Sequence, residues 1–543
     1  MTSTSAAREL VVLRLVSSVG AFASGVPAGR RPSCKVVRLP FPSGSCRGKV
    51  HLGSFMFEIA ELGRKIAKVD YKPMAEELRA QLLAVQQELQ NADFPVVILI
   101  NGVDGGGKGE LLNLLCEWMD ARYISTEAYA PPTEEERERP PFWRFWMWMP
   151  PRGRIGIFLG SWYTKPILDR AYGKTNEREY EAELIRIKAF EESLTADGTL
   201  IIKLWLHVSK AEQKRRFKKL EQNKLTRWRV SPEDWEHHKL YDHFVSICSR
   251  ALRETSTGEA AWTIVESTDE NFRNVFAGQH ILATIRERLA APKLPRALPP
   301  PPATEDPVTI FDKLDLSLSL TRPKYDEELE ALTARLNRLS RKLTSKRRSV
   351  ILVFEGRDAA GKGGAIRRIT RALDARIYRV IPIAAPTDEE RAHHYLWRFW
   401  RHLPRRGRFT IYDRSWYGRV LVERVEGFAR EAEWRRAYQE INAFEEQLTE
   451  NGIIVLKFWL HISADEQLKR FKERELTPYK QYKITSEDYR NRDKANLYEL
   501  ASSEMVERTS TEYCPWTLVE SNDKLYSRIK VLRALCDRLE AEL

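Results

Sequence analysis

Short runs of continuous apolar, β-branched residues alternate along the chain with longer stretches whose apolar positions recur every three or four residues. In the second half, SVILVFEG (349–356), RFTIYD (408–413) and IIVLKFWLHIS (453–463) are apolar nearly throughout, which predicts strands buried on both faces. GGAIRRITRAL (363–373) and a charged stretch running through NAFEEQLTENG to Gly452 carry helical spacing instead. Buried strands separated by helices predict an α/β fold with a parallel sheet between helical layers.

The same pattern occurs twice. INGVDGGGKGE (100–110) aligns with FEGRDAAGKGG (354–364) at a shift of 254 positions, Asp104 onto Asp358. Without any insertion, that shift also carries Thr133 onto Thr387, WRFW 143–146 onto WRFW 397–400, Ser161-Trp162-Tyr163 onto Ser415-Trp416-Tyr417, His207 onto His461 and Trp262 onto Trp516. Leu78, Leu82, Val85 and Leu89 correspond to Leu332, Leu336, Leu339 and Leu343, one face of a leading helix in each copy. Residues 292–307 hold too many prolines for a helix or central strand and read as a semi-rigid linker between domains 56–291 and 308–543.

Charge changes the picture at the first 55 residues. They hold eight basic residues against one acid, more than half of the chain's net +13. Rich in Ser, Gly and Pro, this leader is expected to lie outside the folded unit as a disordered extension. A transit peptide and a secretory signal near Ala21-Phe22-Ala23 are the competing readings, and Arg14 inside the apolar run opposes the second. No window approaches 18 uninterrupted apolar residues, so no membrane-spanning helix is expected. Six cysteines without a C-x-x-C pair fit neither a disulfide scaffold nor a zinc site and point to a reducing, cytoplasmic setting.

The candidate chemistry begins at Gly356. Gly356 to Gly363 satisfies G-x-x-x-x-G-K between a strand and a helix, where backbone N–H groups and a helix N-terminus can close around phosphate oxygens. Gly356, Gly361 and Gly363 give the loop its freedom and Lys362 its charge. Gly363 replaces the usual Ser or Thr ligand of Mg²⁺, so the ion must be held elsewhere. Asp358 in the loop and Asp413 at the end of RFTIYD are the expected hard oxygen donors; the lesser alternative for Asp413 is a helix N-cap ahead of Ser415-Trp416-Tyr417.

Arg367 and Arg371 on the next helix, Arg414 beside Asp413, then Arg398, Arg419, Arg424 and Arg470 suggest a track for a long anion; the bland alternative is a solvated charged face. The tryptophans of WRFW and SWY read first as core packing and second as base-stacking platforms. His461 and the pair His393-His394 lack neighbours at metal spacing. The repeat supplies a control: Asp413-Arg414 falls on Leu159-Gly160, Arg357 on Val103, Arg367 on Asn113, Arg371 on Glu117 and Lys524 on Glu270. Each change removes a cation or a ligand, which predicts a degenerate first domain and a catalytic second one.

FEGRDAAGKGG, APTDEE, LWRFWRHLP, YDRSWYGRVLVERVEG, LHISADEQLKRFKER and CPWTLVESNDK, in this order, resemble polyphosphate kinase family 2, and the fused pair of domains resembles its two-domain branch. The resemblance covers 56–543. It implies two tandem P-loop kinase-like domains with helical lids, Mg²⁺ as cofactor, and transfer of a terminal phosphate from inorganic polyphosphate to a nucleotide, AMP to ADP in this branch. It assigns Asp358 and Lys362 to a Walker A loop, Asp413 and Arg414 to a Walker B segment and the residues after Phe471 to the lid, where Tyr482 stands in place of the family's usual Trp. Lys362 and Arg414 would then stabilise the migrating phosphoryl group. Two alternatives stand beside it: an ATP-dependent nucleotide kinase of thymidylate-kinase type, and a nucleic-acid-binding protein using the same basic surface. Neither a membrane nor a nucleic acid is an expected partner, and a homo-oligomer is compatible with the sequence.

Overall fold

The computed structural model describes residues 55–292, 308–478, 481 and 486–543; the leader, the proline-rich stretch from 293 and Tyr482 lie outside the described residues. Each half contains a five-stranded, wholly parallel sheet. The first comprises β1 (Val96–Gly102), β2 (Ile124–Ala128), β3 (Ile155–Leu159), β4 (Leu200–His207) and β5 (Trp262–Glu266), in the order β2-β3-β1-β4-β5. The second comprises β6 (Ser349–Gly356), β7 (Tyr378–Pro382), β8 (Phe409–Asp413), β9 (Ile453–His461) and β10 (Trp516–Glu520), in the equivalent order β7-β8-β6-β9-β10. The three apolar runs of the second half are β6, β8 and β9. β7 escapes the pattern because it is an edge strand whose residues are only partly covered.

The leading helices Lys68–Leu89 and Arg322–Ser345 bury the leucine stripes that their spacing predicts. Each buried leucine contributes about 1.5–3 kcal/mol relative to exposure, so the four-residue stripe alone fixes the rotation of the helix against the sheet. Trp146 and Trp400, equivalent residues of the two copies, stack at 5.8 Å between centroids, and Trp143 Nε1 donates to the Trp400 carbonyl at 3.0 Å. Arg436 donates to Asp197 at 3.0 Å in the same contact between copies. The WRFW aromatics therefore pack core and interface. His461 is buried against Phe311, with centroids 4.7 Å apart.

One buried polar network recurs in both halves and braces the segment after the third strand of each half, β3 or β8. Lys457 Nζ donates to Glu445 at 2.7 Å, to the Thr509 carbonyl at 2.6 Å and to Tyr417 Oη at 2.9 Å. Trp416 Nε1 and Tyr417 Oη donate to the other oxygen of Glu445 at 3.0 and 2.6 Å. Lys203, Glu191, Tyr163, Trp162 and Thr255 repeat it. A charge pair this deep survives because all three ammonium protons and both carboxylate oxygens have partners, and it pins Ser415-Trp416-Tyr417 directly after β8.

Candidate active site

β6 pairs with β8 so that Phe354 lies opposite Asp413, and the β6 loop therefore leaves the sheet beside the end of β8. This is the point at which the strand order reverses, where parallel α/β sheets open a crevice at their carboxyl ends. Gly356 is required by close approach: at φ 141° a Cβ there would overlap the Leu460 carbonyl of β9. The helix Lys362–Ala372 starts from Gly361 in the left-handed region at φ 110°, with no side chain capping its first amides. A Cβ on Gly363 would meet nothing within 4 Å, so the mouth of the loop is open.

Beneath the loop lies Arg470, 3% exposed. It donates to the Ala359, Ala360, Ser521 and Asn522 carbonyls at 2.9, 3.2, 2.6 and 2.8 Å. Four N–H groups of one rigid plane thus tie the loop to the segment after β10, while Nε is held by Glu466 at 2.6 Å. Lys362 Nζ donates to the Gly356 carbonyl at 2.8 Å and lies among Asp358, Asp413 and Glu355. Burial lowers its pKa and Arg414 adds to that, while the three carboxylates oppose.

Asp358 is the centre of the site. Arg414 Nη2 donates to one carboxylate oxygen at 2.8 Å and Asn491 Nδ2 to the other at 3.0 Å. Burial acts to raise the Asp358 pKa, but Arg414, Lys362 and Asn491 together hold it below the usual carboxylate range. Arg414 itself shifts upward: burial opposes its charge, and Asp358, Glu355 and Asp413 outweigh burial. Its backbone is unusual for a side-chain-bearing residue, at φ 64°, as is that of Ala359 at φ 65°. In the first copy both positions are glycines, Gly160 at φ 72° and Gly105 at φ 72°, which adopt that region freely.

Five residues at this site, Glu355, Asn491, Tyr498, Glu426 and Lys494, escape the sequence reading. Glu355 is buried, accepts from Ser415 Oγ at 2.8 Å and has its pKa raised by burial. Its signal is a carboxylate at the end of an apolar strand, with Asn101 as its counterpart. Asn491 lies on the helix Ser486–Asp493, and Tyr498 Oη donates to its Oδ1 at 3.3 Å while also reaching Glu426 at 3.3 Å. Lys494 fastens the same Glu426 at 2.8 Å, so the segment that covers the loop is held from behind. Nothing in local periodicity marks Asn491; only its alignment with His237 distinguishes it.

The predicted arginines separate into two groups. Arg367 and Arg371 are exposed on the helix leaving the loop, and their side chains make no hydrogen bond or ion pair among the described residues. The others are engaged by the protein. Arg398 pairs with Glu390 at 3.3 Å, Arg419 with Glu423 at 3.0 Å while stacking on Tyr395, and Arg424 with Glu504 at 2.6 Å while stacking on Trp434. Arg470 acts on the loop from below.

The donor set suits a hard divalent cation. Asp413 makes no side-chain hydrogen bond or ion pair among the described residues, and its carboxylate and that of Asp358 act on the same two cations, Lys362 and Arg414. No group of three or more potential ligand side chains forms among the described residues. Two carboxylates with phosphate oxygens and water completing the sphere is the arrangement Mg²⁺ accepts. In the first copy Leu159 stands at the Asp413 position, and Asp104 is taken up by Lys108 at 3.0 Å and His237 Nδ1 at 2.7 Å.

The likeness of this chain to known proteins is extensive. The family model Polyphosphate kinase 2 matches residues 65–292 and again 319–543. A polyphosphate:AMP phosphotransferase of Pseudomonas aeruginosa is 51% identical over 490 residues, covering 90% of this chain and 99% of the relative. A polyphosphate:AMP phosphotransferase of Pseudomonas syringae pv. tomato is 47% identical over 489 residues, covering 89% of this chain and 98% of the relative. A crystal structure of a polyphosphate kinase 2 from Pseudomonas aeruginosa PA01 superposes with a TM-score of 0.80 at 50% identity, covering 90% of this chain and 99% of that one. The family model matches both halves of the sequence, and the chain belongs to the polyphosphate kinase 2 family.

Proposed function

We propose that the protein transfers the terminal phosphate of inorganic polyphosphate to AMP, giving ADP, in its second domain (308–543), and that the first domain (56–291) is a degenerate sibling that does not catalyse. The observation that carries this reading is the Asp358–Arg414 pair: a guanidinium held over the glycine loop by a backbone in the left-handed region, where the first copy has glycine. The polyphosphate:AMP phosphotransferases that match nearly the whole chain support AMP as acceptor. Free thiols at Cys116, Cys248, Cys514 and Cys536 support a reducing, cytoplasmic setting.

Phosphoryl transfer needs little covalent chemistry from a protein, and its barrier falls chiefly through positioning and neutralisation of spread negative charge. The loop amides and Lys362 bind the terminal phosphates of the chain. Arg414 faces the equatorial oxygens of the migrating group, while Asn491 and Arg414 keep Asp358 ionised and oriented. Arg367 and Arg371, exposed beyond the loop, attract the remainder of the polyanion. Mg²⁺, held by Asp358 and Asp413, would supply the neutralisation that two cationic side chains leave incomplete. Arg470 binds no phosphate in this scheme; it fixes the loop carbonyls so that the amides point outward.

The test is direct. Purified protein is incubated with Mg²⁺, each nucleoside mono- and diphosphate, and either polyphosphate or ATP, and the products are separated. ADP from AMP and polyphosphate is expected to dominate. Faster turnover with ATP would overturn the donor, and preference for another acceptor would overturn AMP.

A further inference from the structure

We propose that the glycine loop of the first copy, residues 102–108, is a second phosphate-binding site that takes a phosphoanhydride chain without transferring it. The cradle is intact although the transferring groups are gone. Gly102, Gly105 and Gly107 hold φ of 149°, 72° and 90°, close to the 141°, 65° and 110° of Gly356, Ala359 and Gly361. The helix Lys108–Trp118 starts from Gly107 with no side-chain cap. Lys108 Nζ donates to the Gly102 and Val103 carbonyls at 2.9 and 3.3 Å, as Lys362 does to the Gly356 and Arg357 carbonyls.

To this inherited shape the first copy adds a cation of its own. Arg273, on the helix Glu270–Ala290, stands where the second copy has Ser527, and it is 3% exposed. Its guanidinium fills the space that a Cβ on Gly107 would need, so it lies directly against the start of the loop helix. Nε donates to Asn274 at 3.0 Å, but the buried Nη2 has no hydrogen-bond partner, and its nearest carboxylate, Glu270, is 3.7 Å away and largely exposed. A desolvated guanidinium with an unmet N–H beside an uncapped helix N-terminus is unfavourable alone, and an oxyanion satisfies both. Transfer does not follow, because Leu159 and Gly160 replace the carboxylate and the guanidinium, and His237 and Lys108 occupy Asp104. An incoming phosphate must also compete with Asp104 for Lys108, which makes this site the weaker of the two.

Polyphosphate and nucleotide phosphates offer the same chemistry, so two probes are needed. Inorganic tripolyphosphate and ADP are each titrated calorimetrically into full-length Lys362→Ala protein, in which the second loop has lost its lysine. One equivalent of binding is expected to remain for at least one probe, and to weaken at least tenfold when Lys108→Ala or Arg273→Met is added. Retention for tripolyphosphate alone identifies the inorganic chain as the ligand; retention for ADP identifies a nucleotide phosphate. The absence of binding for both probes overturns the proposal, as does binding that neither added substitution weakens. If Arg273→Met fails to fold, Lys108→Ala decides, with an unchanged melting temperature as its control. AMP phosphorylation by the unmodified protein is measured separately, so a failure here leaves the catalytic assignment standing.

Discussion

Replacing Arg414 by alanine and by glycine separates what this residue costs the fold from what it gives the reaction. Its φ of 64° places a side-chain-bearing residue in the left-handed region, a strain of about 1–2 kcal/mol that glycine does not suffer. Glycine also frees the unfolded chain, which returns about 0.4–1 kcal/mol of that gain. Arg414→Gly should therefore be about 0.5–1 kcal/mol more stable than Arg414→Ala, both lacking the same guanidinium. The lost pair with Asp358 affects both equally and modestly, since the Arg414 side chain is 46% exposed and the interaction is screened. Activity should behave otherwise: both variants lose the cation at the migrating group, worth about 10²–10³ in turnover at sites of this type. Urea unfolding midpoints give the first comparison, and ADP formation from AMP and polyphosphate gives the second. Equal stability of the two variants would refute the strain argument, and more than a tenth of wild-type turnover in Arg414→Gly would refute the catalytic one.

Asp413→Asn removes a negative oxygen donor while keeping the shape, and is expected to lower ADP formation at least a thousandfold with an unchanged melting temperature; residual turnover above a tenth would place the chemistry in the first domain. Lys457→Met leaves Glu445 buried without its cation, a loss of about 3–5 kcal/mol, which corresponds to roughly 6–20 °C in melting temperature for a domain of this size; the double variant Lys457→Met with Glu445→Gln should recover part of it, and a shift under 3 °C for the single variant would contradict the network. His237 gains a partner in Asp104, and that hydrogen bond raises its pKa against the opposing effect of burial. Its contribution is then fully present below the ordinary histidine value of about 6.5 and is lost as pH rises through the raised value. The difference in urea midpoint between wild type and His237→Asn should accordingly be larger at pH 6 than at pH 9, and an equal difference at both would refute the pairing.

The alternation of apolar runs and helical stripes, and their repetition at a constant shift, determined by themselves the two α/β units, the glycine loops and the different residues that the halves carry at equivalent positions. These properties are written in nearest-neighbour order and period, which the chain carries before it folds. Tertiary structure decided which charges meet. Arg414 reaches Asp358 across 56 residues and Asn491 reaches it across 133, through strand register and the placement of a helix that no local pattern specifies. It also decided that Arg398, Arg419, Arg424 and Arg470 would be engaged by carboxylates and carbonyls of the protein while Arg367 and Arg371 stayed exposed. In sequence all six are equivalent cations; only packing, which either supplies a buried guanidinium with acceptors or leaves it to water, tells them apart.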